Sequence, residues 1–82
     1  MTHQIKKGIY EHYKGKKYEV IGMAHHTETK LPMVLYTACY ELPELEKVYG
    51  ETVIFTRPYE LFMEKVTING KKIPRFKYIK SS

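Results

Sequence analysis

The sequence predicts a mostly-β fold, a small and partly open SH3-like barrel of five or six strands with a short helical turn near residues 58–63. Aromatic and β-branched residues occur in short runs separated by residues typical of turns, which is the pattern of a protein built from short strands. The chain has 82 residues, a length that supports one hydrophobic core. We therefore expect a single domain over residues 1–82, with residues 1–7 flexible.

The first half of the chain predicts a β-hairpin followed by a central strand. Residues 8–13 and 18–24 are rich in aromatic and aliphatic side chains, and a turn of lysines around Gly15 joins them. These two runs are expected to pair as antiparallel strands. A polar loop over residues 25–30 comes next, and residues 33–40 are apolar enough to form a central strand.

An acidic segment follows the central strand. Residues 41–51 contain four Glu and one Lys, a net charge of −3. Because the whole chain has a net charge of +5, the residues outside this segment have a net charge of +8. Pro43 is suited to the start of a helical turn, and Gly50 ends it soon after. We therefore expect an acidic loop with at most one helical turn.

The spacing of apolar residues after Pro58 predicts the short helical turn. Residues 52–57 form a β-branched and aromatic run that ends at this proline. Apolar residues then occur at positions i, i+3, i+4 and i+7, which lie on one face of a helix, namely Tyr59, Phe62, Met63 and Val66.

The last part of the chain predicts a tight hairpin. Asn69 and Gly70 both tolerate the positive φ that a type I′ turn requires. In the register that this turn sets, Glu64 lies opposite Arg75, and we expect an ion pair between the two strands. Pro74 has no amide hydrogen to donate, so the returning strand is expected at an edge.

The cysteine and histidine content argues against stabilisation by disulfides or metals. A single cysteine cannot form an intramolecular disulfide, which is typical of a reducing compartment, and Cys39 is expected in the core because its run is apolar. No stretch approaches the ~20 apolar residues of a membrane span, so we expect a cytoplasmic protein without membrane association. The histidines lack the spacing of a zinc site, and we expect no metal and no cofactor.

Short motifs occur in a fixed order over nearly the whole chain. They are Tyr13-Lys14-Gly15, Tyr18-Glu19-Val20-Ile21-Gly22, Ala24, His26-Thr27-Glu28-Thr29, Arg57-Pro58, Phe62, Glu64, Val66, Gly70 and Pro74-Arg75-Phe76. This pattern resembles that of the bacterial domain of unknown function (DUF) family 1653. The resemblance implies a compact bacterial β domain without an established activity.

The chain departs from the family pattern in three places. Thr27 stands where serine is usual, which keeps a hydroxyl group. Phe55 stands where tryptophan is usual, which removes an indole donor and some stacking area. The acidic segment 41–51 is longer than the family's usual short turn, so the resemblance implies that this segment is particular to this protein.

The leading functional hypothesis is a basic binding module for an anionic partner, which is a nucleic acid, a nucleotide or an acidic protein surface. Its candidate binding residues are the loop residues His26, Thr27, Glu28 and Thr29, the arginines Arg57 and Arg75, and the tyrosines Tyr36 and Tyr59. The planar guanidinium of arginine suits phosphate or carboxylate, and the tyrosines offer rings for stacking. Arg75 has a predicted partner in Glu64, whereas Arg57 has none and is therefore the stronger candidate.

Two alternatives stay open from the sequence. His26 and Glu28 are spaced to act as an acid–base pair in a small enzyme or metabolite-binding domain, although a loop that bonds its own backbone amides explains the same residues. The other alternative is a domain that self-associates through an edge strand or an apolar face, and we expect a monomer or a weak homodimer. Binding is favoured over catalysis because each reactive pair has a structural explanation.

Overall fold

A computed structural model of the chain describes residues 4–82, which form seven strands and two short helices. The elements in chain order are β1 (Gly8–His12), β2 (Lys17–His25), β3 (Pro32–Ala38), α1 (Pro43–Tyr49), β4 (Ile54–Pro58), α2 (Tyr59–Phe62), β5 (Lys65–Ile68), β6 (Lys71–Pro74) and β7 (Phe76–Lys80). Five strands form an antiparallel sheet in the order β4-β3-β2-β1-β7, and β5 pairs with β6 in a separate two-stranded sheet.

The mostly-β class and the short helix near residues 58–63 are confirmed. The described part of the chain has seven strands rather than the expected five or six, because the chain after Gly70 divides at Arg75. The segment before Arg75 stays paired with β5, whereas the segment after it pairs with β1. The two sheets do not close into a barrel, and the likeness to an SH3 domain stays a prediction.

The expectation of a loop over residues 41–51 is wrong, because Pro43–Tyr49 form the helix α1. Pro43 occupies the first turn, where its missing amide hydrogen has no intrahelical partner to lose. The Glu46 carboxylate accepts a hydrogen bond from the backbone amide of Leu42 at 3.0 Å, which satisfies a free donor at the start of the helix. Gly50, with φ of 91°, ends the helix as expected.

The core lies on one face of the five-stranded sheet, and α2 covers it. Six buried side chains form one contiguous cluster there, namely Tyr10, Val20, Val34, Tyr36, Phe62 and Phe76. α2 places Phe62, with 1% of its surface exposed, flat against the Phe76 ring at a centroid distance of 4.1 Å and an interplanar angle of 4°. This ring stack joins the helix to the sheet.

The register of the central strands decides which side chains share the core face. Tyr36 lies opposite Phe55, and Val34 lies opposite Arg57. Because directly opposite residues of an antiparallel pair project on the same side, Arg57 is placed on the same face as the buried core. A bulge between Val20 and Gly22 shifts the pairing of β2 with β3.

The Asn-Gly hairpin is confirmed in detail. Asn69 and Gly70 have φ of 51° and 78°, and Ile68 lies opposite Lys71. The predicted ion pair is also present, with Arg75 Nη2 donating to Glu64 Oε1 at 2.8 Å. The turn residues therefore fix the position of Arg75.

The predictions for Cys39 and for the N-terminal residues have different outcomes. Cys39 is exposed, contrary to the expectation of burial, because β3 ends at Ala38 and Cys39 lies past the end of the strand. Residues 1–3 lie outside the described residues, and the flexibility of 1–7 stays a prediction. Within the described part of that range, the Lys6 carbonyl accepts a hydrogen bond from the Tyr10 hydroxyl at 2.7 Å.

None of the helices formed by residues 4–82 is long and apolar enough to cross a membrane.

Candidate functional site

An open cavity of about 360 Å³ lies on the core face of the sheet, beside the start of α1. Five aromatic side chains line it, together with His12, Arg57 and two leucines, Leu42 and Leu45. The aromatic residues are Tyr18, Tyr36, Tyr40, Phe55 and Phe76. We call this cavity the Arg57 pocket; its volume falls in the range of roughly 300–1,000 Å³ that is usual for small-molecule sites.

The rings of the Arg57 pocket are held by the sheet register and by one another. Tyr36 stacks on Phe55 at a centroid distance of 5.7 Å, and Tyr18 meets Tyr36 edge to face at 5.5 Å. Tyr40 follows the end of β3, and its hydroxyl is 2.7 Å from the Tyr18 hydroxyl, forming a hydrogen bond. Aromatic pairs in these geometries add to packing beyond their buried area, so the wall of the pocket is preorganised.

The Tyr18 hydroxyl stays protonated across the physiological range. Burial raises its pKa well above the ordinary value, and the hydrogen bond with Tyr40 raises it further. The positive charge of Arg57 acts in the opposite direction. The Tyr18 phenol therefore offers a neutral hydrogen-bonding group to a ligand.

Arg57 supplies the positive charge of the pocket. Its Cζ lies 5.8 Å from the centroid of the Phe76 ring, a cation–π distance. None of the nine described residues that line the pocket is acidic. Among residues 4–82 the Arg57 guanidinium makes no hydrogen bond or ion pair, in contrast to Arg75, which is bonded to Glu64. Its donors are therefore available to a ligand.

His12 lies beside this guanidinium. Its ring is 5.0 Å from the Phe76 ring, edge to face, and its Nδ1 accepts a hydrogen bond from the Lys14 amide at 3.1 Å. Burial lowers the His12 pKa below its ordinary value, and the positive charges of Arg75, Arg57 and Lys14 lower it further. His12 is therefore neutral at pH 7, with the proton on Nε2 because Nδ1 is the acceptor.

The predicted loop site at residues 26–29 is a separate structure. His26 Nδ1 accepts hydrogen bonds from the backbone amides of Glu28 and Thr29, both at 3.1 Å. The Thr29 hydroxyl in turn accepts from the Leu31 amide at 3.4 Å, while Thr27 is exposed. The ring of His26 therefore orders the loop, and the described contacts do not join it to the Glu28 carboxylate.

The loop and Arg57 are not brought together in one pocket. The loop follows the His25 end of β2, whereas Tyr18, which lines the Arg57 pocket, lies near the Lys17 end. Neither His26 nor Glu28 contributes to the lining of that pocket. The combined patch that the sequence suggests stays a prediction, and the described pocket at Arg57 is lined by aromatic residues and not by the loop.

The other candidate residues have three different placements. Arg75 belongs to the hairpin through its pair with Glu64, although its Nε is buried without a hydrogen-bond partner among the described residues. Tyr36, with 6% of its surface exposed, is core and forms the floor of the Arg57 pocket. The Tyr59 hydroxyl donates to the Gln4 carbonyl at 3.2 Å, and its ring lines a different cavity with Leu31 and Pro32.

Sequence reasoning missed most of the pocket. His12, Tyr18, Tyr40 and Phe76 come from four places in the chain. Strand pairing brings the first two and Phe76 together, and Tyr40 joins them through its hydrogen bond with Tyr18. The alternation of Tyr10 and His12 in the first strand was the one available signal, because it places both side chains on one face. Nothing in the spacing of Tyr40 points to the site.

No group of three or more His, Cys, Asp or Glu side chains that could hold a metal ion occurs within residues 4–82. The Arg57 pocket offers rings, phenolic hydroxyls and one guanidinium.

Comparisons with known proteins assign the chain to a family. A family model described as a protein of unknown function (DUF1653) matches residues 8–78. The crystal structure of a DUF1653 protein from Bordetella bronchiseptica is similar at 28% sequence identity, covering 100% of this chain and 96% of that chain with a TM-score of 0.79. The search of curated proteins returned no match. The chain belongs to the DUF1653 family, as its ordered motifs indicate.

Proposed function

We propose that this protein is a small binding module whose Arg57 pocket receives an anionic group of its partner. The observation that carries the proposal is the state of Arg57, which lies against the Phe76 ring at 5.8 Å without an acidic partner among the described residues. A guanidinium in a ring-lined pocket is less hydrated than at an open surface, which strengthens its attraction for phosphate or carboxylate. The +8 charge of the chain outside residues 41–51 favours the approach of such partners.

The charge of the pocket argues against a cationic ligand. A cluster of tyrosine and phenylalanine rings resembles the aromatic cages that bind quaternary ammonium groups. Such a cation would lie beside the Arg57 guanidinium with no carboxylate in the lining to compensate the repulsion. An anion meets the opposite situation, because the arginine and the Tyr18–Tyr40 hydroxyl pair all offer hydrogen-bond donors or adaptable hydroxyls.

The experiment is an NMR titration of backbone amides with three anions: inorganic phosphate, uridine monophosphate and a short glutamate peptide. We expect at least one of them to shift the amides of Tyr40, Phe55 and Arg57 in a saturable manner. Arg57→Gln should abolish the shifts. Lys30→Gln is the matched control, because it removes one positive charge from the exposed loop past the other end of β2.

Two results would contradict the proposal. One is the absence of saturable shifts with all three anions. The other is an equal loss of binding in Arg57→Gln and Lys30→Gln, because net charge alone would then explain the interaction. A loss confined to Arg57→Gln supports the pocket as the site.

Self-association is a second candidate function, favoured by exposed apolar side chains and by an edge strand. Val48 and Tyr49 on α1 are 71% and 67% exposed, and Ile54 on the edge strand β4 is 53% exposed. Exposed apolar side chains and strand edges both occur at contact surfaces between proteins. Sedimentation at two protein concentrations tests this; a sedimentation coefficient that does not change with concentration would count against it.

A further inference from the structure

A second cavity of about 440 Å³ adjoins the Arg57 pocket through a shared residue, His12. We call it the Tyr13 pocket, because Tyr13, Gly15, Pro74 and Lys77 line it together with Glu11 and Ile73. The turn between β1 and β2 therefore stands at the border of two cavities. Nothing in the proposed function accounts for the second one.

Lysines lie over two of the rings that line the cavities. Lys14 Nζ lies 5.8 Å from the centroid of the Tyr13 ring, and Lys16 Nζ lies 4.7 Å from that of Tyr40. The His12 ring lies 4.5 Å from the Tyr13 ring, so the rings continue from one cavity into the other. Each cavity has its own cation in the lining, Arg57 in one and Lys77 in the other.

The surface has one acidic residue among its described lining, Glu11. In the sheet, Glu11 lies directly opposite Lys17 on β2 and Lys77 on β7. Because neighbouring residues of a strand project to opposite faces, these three side chains lie on the face opposite Tyr10 and Tyr18, where two lysines outnumber one carboxylate. A polyanion that passes the end of β1 would meet a cation in each cavity, Arg57 in one and Lys77 in the other.

We propose that the partner of this module is a single-stranded nucleic acid that runs from the Arg57 pocket past His12 into the Tyr13 pocket. This inference rests on the proposed function, since its first contact is the anion site at Arg57. Single strands present a phosphate and a planar base at every nucleotide, and proteins bind them with a positive groove and aromatic side chains. The cations and rings at the two cavities offer a partner for each of these groups.

The chemistry of the lining favours this partner over an acidic peptide or a duplex. Carboxylate side chains of an acidic peptide would pair with the lysines but would leave the half-buried rings of Tyr13, Tyr18 and Tyr40 without planar groups to contact. The bases of a duplex are stacked inside it, so its phosphates alone would reach the surface. A single strand uses both the charges and the rings.

The test is a length series of oligouridylates: the mononucleotide, the dinucleotide, the tetranucleotide and the octanucleotide, with a duplex of the octamer length. We expect the octanucleotide to bind at least tenfold more tightly than the mononucleotide and than the duplex. Tyr13→Ala and Lys77→Gln should each lower the affinity for the octanucleotide about tenfold. The same substitutions should lower the affinity for the mononucleotide by about twofold or less. Glu11→Gln should tighten octanucleotide binding severalfold.

Matched controls separate the path from general charge and ring effects. Tyr49→Ala removes an exposed ring from α1, and Lys30→Gln removes a charge from the loop after β2; both should leave the octanucleotide affinity unchanged within twofold. Circular dichroism melts of each variant show whether it is folded.

The outcomes distinguish this inference from the proposed function. Equal affinity for mononucleotide and octanucleotide, or for single strand and duplex, would overturn the nucleic-acid path while the Arg57 site stands. Equal weakening by Lys77→Gln and Lys30→Gln would also overturn it. The failure of phosphate, mononucleotide and glutamate peptide to bind at Arg57 would instead overturn the proposed function itself.

Discussion

The same substitution at the two arginines of the chain is expected to lower different properties of the protein. Arg57→Gln and Arg75→Gln each remove one positive charge and keep a polar side chain of intermediate length. Arg75 is bonded to Glu64 at 2.8 Å, whereas Arg57 makes no ion pair among residues 4–82. We therefore predict that Arg75→Gln mainly lowers stability and that Arg57→Gln mainly lowers anion affinity.

The magnitudes follow from the contacts. The side chains of Arg75 and Glu64 are 24% and 48% exposed, so solvent screens the pair and its loss should cost at most about 1 kcal/mol of unfolding free energy. Arg57→Gln removes a cation–π contact with Phe76, worth roughly 0.5–1 kcal/mol at an exposed site. A hydrogen-bonded contact to a charged ligand contributes roughly 1.5–3 kcal/mol, so Arg57→Gln should weaken anion binding about tenfold to 150-fold.

The assay combines urea unfolding followed by circular dichroism with anion titration of the same variants. A double-mutant cycle of Glu64→Gln with Arg75→Gln should give a coupling energy between zero and about 1 kcal/mol, and a cycle of Glu64→Gln with Arg57→Gln should give none. The reasoning would be refuted if Arg57→Gln left anion affinity unchanged while it coupled to Glu64, because Arg57 would then be part of the scaffold.

Three further predictions concern the core, the end of β3 and pH. Phe62→Ala should lower the free energy of unfolding by roughly 3–5 kcal/mol, because Phe62 is 1% exposed; Leu61→Ala, at a 46% exposed neighbour, should cost far less, and similar urea midpoints for the two would contradict the described packing. Cys39 should react with a thiol reagent in the folded protein without denaturant because it is exposed; a reaction that requires unfolding would show it to be buried. The pKa of His12 is lowered from 6.5 in the folded protein. The neutral ring therefore contributes stability that is fully present above pH 6.5 and is lost as pH falls through the folded-state pKa. The urea midpoint of unfolding should decline over this pH range, and His12→Gln should reduce the decline.

The hairpin at the end of the chain was predictable because its information is local. Asn69 and Gly70 select one turn type, that turn sets one register, and the register pairs Glu64 with Arg75. Only two residues had to be read correctly for the ion pair to follow. The same reasoning gave the first hairpin around Gly15, whose strands pair as expected.

The Arg57 pocket was not predictable because it depends on non-local pairing. Phe55 and Arg57 reach the core face through the register of β3 with β4, and a bulge between Val20 and Gly22 offsets β2 from β3. A shift of one residue in either pairing would turn every side chain of the strand to the other face. Sequence patterns do not determine such offsets, although they did identify Arg57 as the arginine without a partner.

The length of helix α1 was underestimated for a different reason. Its seven residues, Pro43–Tyr49, contain no buried side chain, so the apolar periodicity that reveals a helix in sequence is weak. The Glu46 carboxylate that accepts from the Leu42 amide at 3.0 Å stabilises its start, and a local carboxylate of this kind is indistinguishable in sequence from a solvated charge.

We propose that Arg57, and not Arg75, binds the anionic group of the partner. The most direct measurement is an NMR titration of the arginine side-chain Nε–Hε signals with uridine monophosphate. We expect the Arg57 signal to shift and saturate together with the ring protons of Tyr40 and Phe55, while the Arg75 signal, held by Glu64, stays in place. An Arg57 signal that does not move while the Arg75 signal does would contradict it.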